Sequence, residues 1–331
     1  MIAEHGISNK LGRVLCVDDE PSILRSLQWL LKKQFDVQVA ASGHEALEMV
    51  RHNAFDVIIS DQRMPGMMGS EFLREVRKIS PRSMRILLTG YSDLQAILRS
   101  VNDGEVFRFV NKPWSTKSLP ILIADAAAIA RSQPADISDH ITVESSEMET
   151  GEEFILLIDD DSSTSRLVSD AVGPDVKIAH ATTLAEAVAV LHEHSVGIIL
   201  SDTRVANVDT TTMLKVLKQE HPDIVTVVYT ATTDAVDVTT LINQGQIFRF
   251  IPKPVRAVML RQALMAAALK RRQLRDSPDA GTRHRVDQVA EEEKNEMLRT
   301  IHQSAAYAAA NDGGNLLQRI GGSFRRMFGV A

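Results

Sequence analysis

Cysteine is nearly absent from this sequence: Cys16 stands alone, so no disulfide closes within the chain. It lies inside the apolar run VLCV and reads as a small buried hydrophobe rather than a reactive thiol. No apolar run approaches the roughly 18 residues that span a bilayer, and ILIADAAAIA is broken by Asp125. The opening MIAEHGISNK has no basic segment leading into an apolar core, so no secretory signal is read and a cytoplasmic location is expected. Positive charge is in deficit, and a formal net charge of -6 argues against a chain that coats nucleic acid. Cys and His at zinc spacing and a Gly-rich phosphate loop are both missing. His192 and His194 are two apart on a predicted helix and do not share a face.

What is present is a folded chain of 331 residues, 44% hydrophobic and 24% charged, long enough for two domains of ordinary size. It repeats itself. VLCVDDEPS, Val14 to Ser22, returns as ILLIDDDSS, Ile155 to Ser163. Asp61 at the end of IISD has its match in Asp202, Thr89 of ILLTG in Thr230 of VVYTA, and Lys112 of FRFVNKPW in Lys253 of FRFIPKPV. Asp159, Asp202, Thr230 and Lys253 all lie 141 residues beyond Asp18, Asp61, Thr89 and Lys112. One ungapped register over four landmarks marks two copies of one domain.

In the first copy RVLCV, VQVAA, DVIIS, RILLT and FRFVN read as strands. SILRSLQWLLKKQ, GHEALEMVRH, SEFLREVRKI, DLQAILRSVN and a last stretch near Leu119 to Arg131 read as helices between and after them. Alternating strands and helices predict a parallel sheet covered on both faces. The boundaries read as an extension over 1–11, domains over 12–131 and 153–275, an acidic linker over 132–152, and a helical tail over 276–331.

Ligands of an open parallel sheet bind beyond the carboxyl ends of its strands, where Asp18, Asp19, Asp61, Thr89 and Lys112 all fall. Three adjacent acids repel one another and suit a hard divalent cation; Mg²⁺ takes one or two carboxylates with water and phosphate oxygens. The lysine and the threonine hydroxyl suit phosphoryl oxygens, and a carboxylate can itself attack phosphorus.

This set, with its echo, resembles the receiver domain of two-component response regulators. The resemblance covers most of the chain. It implies two tandem flavodoxin-like doubly wound α/β domains of strand order 2-1-3-4-5, each phosphorylated by a histidine kinase or phosphotransfer protein. It further implies Asp61 and Asp202 as phosphoacceptors and one Mg²⁺ per domain. That ion would be held by Asp19 and Asp160 directly, by Asp18 and Asp159 through water, by the acceptors, and by the backbone carbonyls of Arg63 and Arg204. Lys112 and Lys253 would pair with the phosphoryl group, Thr89 and Thr230 would hydrogen-bond it, and Phe109 and Phe250 would occupy the switch-aromatic position. The stretch GYSDLQAILRSVNDGEVFRFVNKPW is most similar to receivers joined to HD-GYP or other cyclic-diguanylate outputs.

The second copy departs from the pattern: DQRMPGMMG becomes DTRVANVDT, DDEP becomes DDDS and TGY becomes TAT. No essential side chain is lost, so chemical competence is expected of both. A rival reading takes LIDDDSS as the opening of a haloacid-dehalogenase-type phosphatase. Glu20 and Pro21 in the first copy, and the lack of room for a cap domain, count against it.

Residues 276–331 carry no cyclase, HD-type or helix-turn-helix signature, and AEEEKNE is acidic where a recognition helix would be basic. Val286, Val289, Met297, Ile301 and Ala305 form a patchy helical stripe. Leu316, Leu317, Ile320, Phe324, Met327 and Phe328, interleaved with arginines, fit a short amphipathic helix that docks on a partner, a membrane surface or the chain's own domains. The expected function is phosphorelay signalling that switches protein contacts at the face of the fourth and fifth helices and last strand. The downstream protein is unnamed, a homodimer could form through those faces, and no nucleic acid, catalytic output or DNA-binding output is expected. The runner-up is a phosphate sink or relay intermediate for a shared kinase.

Overall fold

The structure, a computed structural model, describes residues 10–90, 106–132, 152–231, 242–243, 247–276 and 289–312. The chain divides into two compact units, residues 1–139 and 140–331. In the first, β1 (Arg13–Val17), α1 (Pro21–Leu31), β2 (Asp36–Ala40), α2 (Gly43–His52), β3 (Val57–Asp61), α3 (Gly69–Ile79), β4 (Met84–Thr89), β5 (Arg108–Asn111) and α4 (Ser118–Ser132) follow in order. The sheet runs β2-β1-β3-β4-β5 with every pair parallel.

Strands β3 and β4 are buried along their whole length. That is why VIISD and MRILLT read as unbroken runs rather than alternating ones: a parallel sheet with helices on both faces leaves no wet side. Val14, Cys16, Val57, Ile59, Ile86 and Leu88 pack with Leu27 and Leu31 of α1 and Ile123 and Ala127 of α4. Each fully buried Leu or Ile there contributes roughly 1.5–3 kcal/mol. Burial pushes the Cys16 thiol up to about 12, as an inert core residue requires.

The second unit repeats the pattern as β6 (Phe154–Ile158), α5 (Ser162–Val172), β7 (Ile178–Ala181), α6 (Leu184–Glu193), β8 (Val196–Ser201), β9 (Arg204–Val205), β10 (Val208–Asp209), α7 (Thr211–Glu220), β11 (Val225–Thr230), β12 (Arg249–Pro252) and α8 (Ala257–Asp276). Its sheet order, β7-β6-β8-β11-β12, is that of the first. Local signals repeat too. Ser42 accepts the Glu45 amide at 3.2 Å while Glu45 accepts the Ala41 amide at 2.8 Å. Thr183 and Glu186 close α6 in the same way, at 3.2 and 2.7 Å.

Two features go beyond the repeat. Between β8 and α7 the chain makes a two-stranded antiparallel hairpin, β9–β10, where the sequence shows only a lost Met-Pro-Gly turn. Its tip residues Ala206 and Asn207 have φ of 50° and 64°. A last helix, α9 (Glu291–Asp312), packs on α6 and α7. Val289, Met297 and Ile301 of the expected stripe are buried there, and Glu293 lies 3.8 Å from Lys215. The expected fourth helix DLQAILRSVN, most of the linker, Val286 and the docking residues Leu316, Leu317, Ile320, Phe324, Met327 and Phe328 lie outside the described residues. No described helix is long and apolar enough to cross a membrane.

Candidate functional site

Asp18 follows the last residue of β1, Asp61 and Thr89 end β3 and β4, and Lys112 follows β5. Parallel pairing brings these four ends to one edge of the sheet. Asp18 is 1% exposed, and its Oδ1 accepts the Glu20 amide at 2.9 Å. Lys112 Nζ lies 2.9 Å from Asp18 Oδ2 and 2.6 Å from Asp61 Oδ1. The other Asp61 oxygen accepts the Arg63 amide at 2.6 Å. The Thr89 hydroxyl donates to the Gly90 carbonyl at 3.2 Å, and the Thr89 carbonyl accepts the Lys112 amide at 2.9 Å.

Burial pushes the Asp18 carboxyl above the ordinary carboxylate range, against the Lys112 and Glu20 hydrogen bonds that favour its charge. Burial alone would lower the Lys112 ammonium, but its hydrogen bonds to Asp61 and Asp18 outweigh that and raise it. One lysine therefore serves two buried acids, with Asp19 exposed beside them.

The second unit rebuilds the constellation. Lys253 Nζ lies 3.2 Å from Asp159 and 2.5 Å from Asp202, again raised by these bonds over the opposing effect of burial. The lysine also stands 4.5 Å from the ring centroid of Tyr229, where the first unit has Leu88. Both lysines precede cis prolines, Pro113 and Pro254. Phe109 and Phe250 are buried core rings.

Different neighbours complete the second set. The Thr164 hydroxyl donates to Asp159 at 3.2 Å, the Ala206 amide donates to Asp160 at 2.9 Å, and the Thr203 amide donates to Asp202 at 2.6 Å. Thr203 and Thr230 share a hydroxyl hydrogen bond of 2.7 Å, and the Thr210 hydroxyl donates to the Asp202 carbonyl at 2.7 Å. Of these donors, Thr164, Thr203, Thr210 and the Ala206 amide did not stand out in the sequence, whereas Thr230 did. The only signal for Thr164, Thr203 and Thr210 was their position opposite Ile23, Gln62 and Gly69 once the copies are aligned.

Among the described residues no three His, Cys, Asp or Glu side chains converge as a ready-made metal cage. A cation that keeps several waters needs no such cage: one or two carboxylates suffice for Mg²⁺. Three acids against one lysine leave a surplus of negative charge at each edge, so the donor set fits a hard divalent ion.

The response regulator receiver domain family matches residues 14–124 and 155–265. The chain belongs to that family. Its two receivers are thus tandem copies of one signalling module. The hydrogenase transcriptional regulatory protein HoxA of Cupriavidus necator is 39% identical over 108 residues, 33% of this chain and 22% of that protein. The transcriptional regulatory protein GlrR of Escherichia coli is 33% identical over 130 residues, 39% of this chain and 29% of that protein. The match thus spans less than a third of either regulator's length. Among solved structures, the signal receiver domain of an HD domain-containing protein from Pseudomonas fluorescens is 31% identical. It covers 38% of this chain and 93% of that chain with a TM-score of 0.36. These relatives include transcriptional regulators, so the receivers are not tied specifically to HD-GYP partners.

Proposed function

We propose that this chain is a phosphorelay response regulator whose two receivers each take a phosphoryl group, on Asp61 and Asp202, and answer by changing protein contacts. The convergence of Asp18 and Asp61 on Lys112, repeated by Asp159 and Asp202 on Lys253, carries this reading. A carboxylate oxygen attacks the phosphorus of a phosphohistidine on a kinase or phosphotransfer protein. The P–N bond breaks, and the imidazole nitrogen leaves with the electron pair. Bound Mg²⁺ would neutralise charge on the phosphoryl oxygens.

Asp19 with Asp61, and Asp160 with Asp202, would hold that ion together with Asp18 and Asp159 through water and the Arg63 and Arg204 carbonyls. Lys112 and Lys253 sit where they can pass from a carboxylate to a phosphoryl oxygen, and Thr89 and Thr230 can donate to another. Phe109 and Phe250 serve as switch aromatics. The reaction needs positioning and charge stabilisation more than bond chemistry from the protein.

Protein contact is the output, without an enzymatic or DNA-binding step. The described tail helix supports this, since it opens on Glu291, Glu292 and Glu293 and lies against the second receiver's own helices. The HoxA and GlrR names point to transcription and the HD-domain protein to another output, so the likeness of receivers selects neither. A cytoplasmic kinase–regulator pair fits this reading, with homodimerisation as one contact that phosphorylation could switch.

Phosphodonor labelling in Mg²⁺ tests the proposal. The wild-type chain should take two acyl-phosphate equivalents, Asp61→Ala and Asp202→Ala one each, and the double variant none. Labelling that persists in a variant overturns the assignment for that receiver. Repeated turnover of small phosphoesters would identify a phosphatase instead. A beryllofluoride-dependent pull-down of a third protein separates an effector from a phosphate sink.

A further inference from the structure

We infer that the two receivers bind a divalent cation unequally, the second more weakly, because its own backbone and a threonine already occupy its acids. The inference rests on reading both acid clusters as cation sites. It arises from one exchange in the aligned copies: Pro65 of the first loop stands where the second has Ala206. Proline has no N–H. Ala206 has one, and the β9–β10 hairpin aims it at Asp160 Oδ2 from 2.9 Å.

The aim is built in. Ala206 and Asn207 both hold positive φ, 50° and 64°, the geometry of a two-residue hairpin turn. Alanine is uncommon in that left-handed region, and the hairpin pairing of Val205 with Val208 and Arg204 with Asp209 maintains it. In the first receiver Gly66 takes the positive φ after Pro65, no hairpin forms, and no described group hydrogen-bonds to the Asp19 carboxylate.

A second donor acts on the neighbouring acid. Thr164 gives its hydroxyl to Asp159 at 3.2 Å, whereas Ile23 at the matching position of the first receiver has nothing to give. The lysine is common to both sites and cancels in the comparison. A cation entering the second site must therefore compete with donors that the first site lacks, chiefly the Ala206 amide and the Thr164 hydroxyl, with the Thr203 hydroxyl 3.3 Å from Asp202 as a third. Hydrogen bonds to charged acceptors are the stronger class, and displacing the amide is expected to weaken binding by roughly tenfold.

Mn²⁺, counted on the full-length chain by the electron paramagnetic resonance of the free ion, reads this directly. The wild-type chain should show one tighter and one weaker site about tenfold apart. Asp19→Asn should remove the tighter and Asp160→Asn the weaker. Replacing RVANVDT at 204–210 with the RMPGMMG of 63–69 should draw the weaker site towards the tighter, with thermal unfolding confirming that the second unit is intact. Thr164→Val, a smaller change, should tighten the second site about threefold and serves if the loop exchange fails to fold. Equal affinities in the wild-type chain, or a folded exchange and Thr164→Val that both leave the weaker site unmoved, overturn the inference. Loss of neither site in the two Asn variants overturns instead the reading of these acids as cation sites.

Discussion

The first receiver follows its acceptor with Gln62-Arg63-Met64-Pro65-Gly66 and an open loop; the second follows it with Thr203-Arg204-Val205-Ala206-Asn207 and a hairpin. The strand ends on either side place a lysine against two acids in the same way in both. Charge placement is thus a property of the sheet edge. Thr203, Ala206 and Thr210, which donate around those charges in the second receiver, belong to the loop after the acceptor, with Thr164 of α5 as the exception, and the loop is where the copies have diverged most. Gly69 and Thr210 show how far. A Cβ added at Gly69 would sit 1.9 Å from the Asp61 carbonyl oxygen, so α3 begins there only because a side chain is missing. In the second receiver the hairpin carries the chain so that Thr210 fits, and its hydroxyl donates to the Asp202 carbonyl at 2.7 Å.

The largest expected break in this comparison comes from exchanging those two residues. Gly69→Thr forces backbone apart and should destabilise the first receiver by about 2–4 kcal/mol, read by chemical denaturation. Thr210→Gly loses a hydrogen bond and gains chain freedom, for about 1 kcal/mol. Equal costs would mean that the loops are interchangeable and the hairpin incidental.

A somewhat smaller effect is expected at the tail. Ile301 is fully buried where α9 meets the second receiver. Ile301→Asp should lower that unit's stability by about 2–3 kcal/mol. Amide exchange should quicken in α6 and α7 and stay unchanged in the first receiver. Unaltered exchange in α6 and α7 would show that α9 contributes nothing to the second unit.

The smallest concerns Lys218, buried with its ammonium donating to the Pro222 and Ile224 carbonyls at 2.7 and 2.9 Å. Burial pushes it down from 10.5 to about 7; Asp223 opposes this, while Lys270 and Arg271 add to it. Between pH 7 and 10.5 the unfolded chain then binds more protons than the native one, so stability rises with pH across that window. Lys218→Met removes the dependence. It should be more stable than wild type by about 1–2 kcal/mol at pH 6.5, after the loss of two hydrogen bonds, with the gain vanishing towards pH 10. The first receiver has Arg77 at this position, partly exposed. A gain that is flat with pH would remove Lys218 as its source.

Much of this molecule was legible before any coordinate. Apolar runs ending in Asp18, Asp61 and Thr89, repeated 141 residues later, predict both sheets and the edge at which these residues gather, because buried parallel strands require unbroken apolar runs. Helix α4, expected near Leu119 to Arg131 and observed at Ser118–Ser132, follows from helical periodicity in the same way. Only tertiary structure decided which donors meet which acids. Nothing in RVANVDT announces that the Ala206 amide reaches Asp160, 46 positions away, or that Thr203 and Thr230 share a hydrogen bond. Periodicity is written along the chain. A hydrogen bond between distant residues depends on where two loops end in space, and a backbone N–H carries no residue name by which to foresee it.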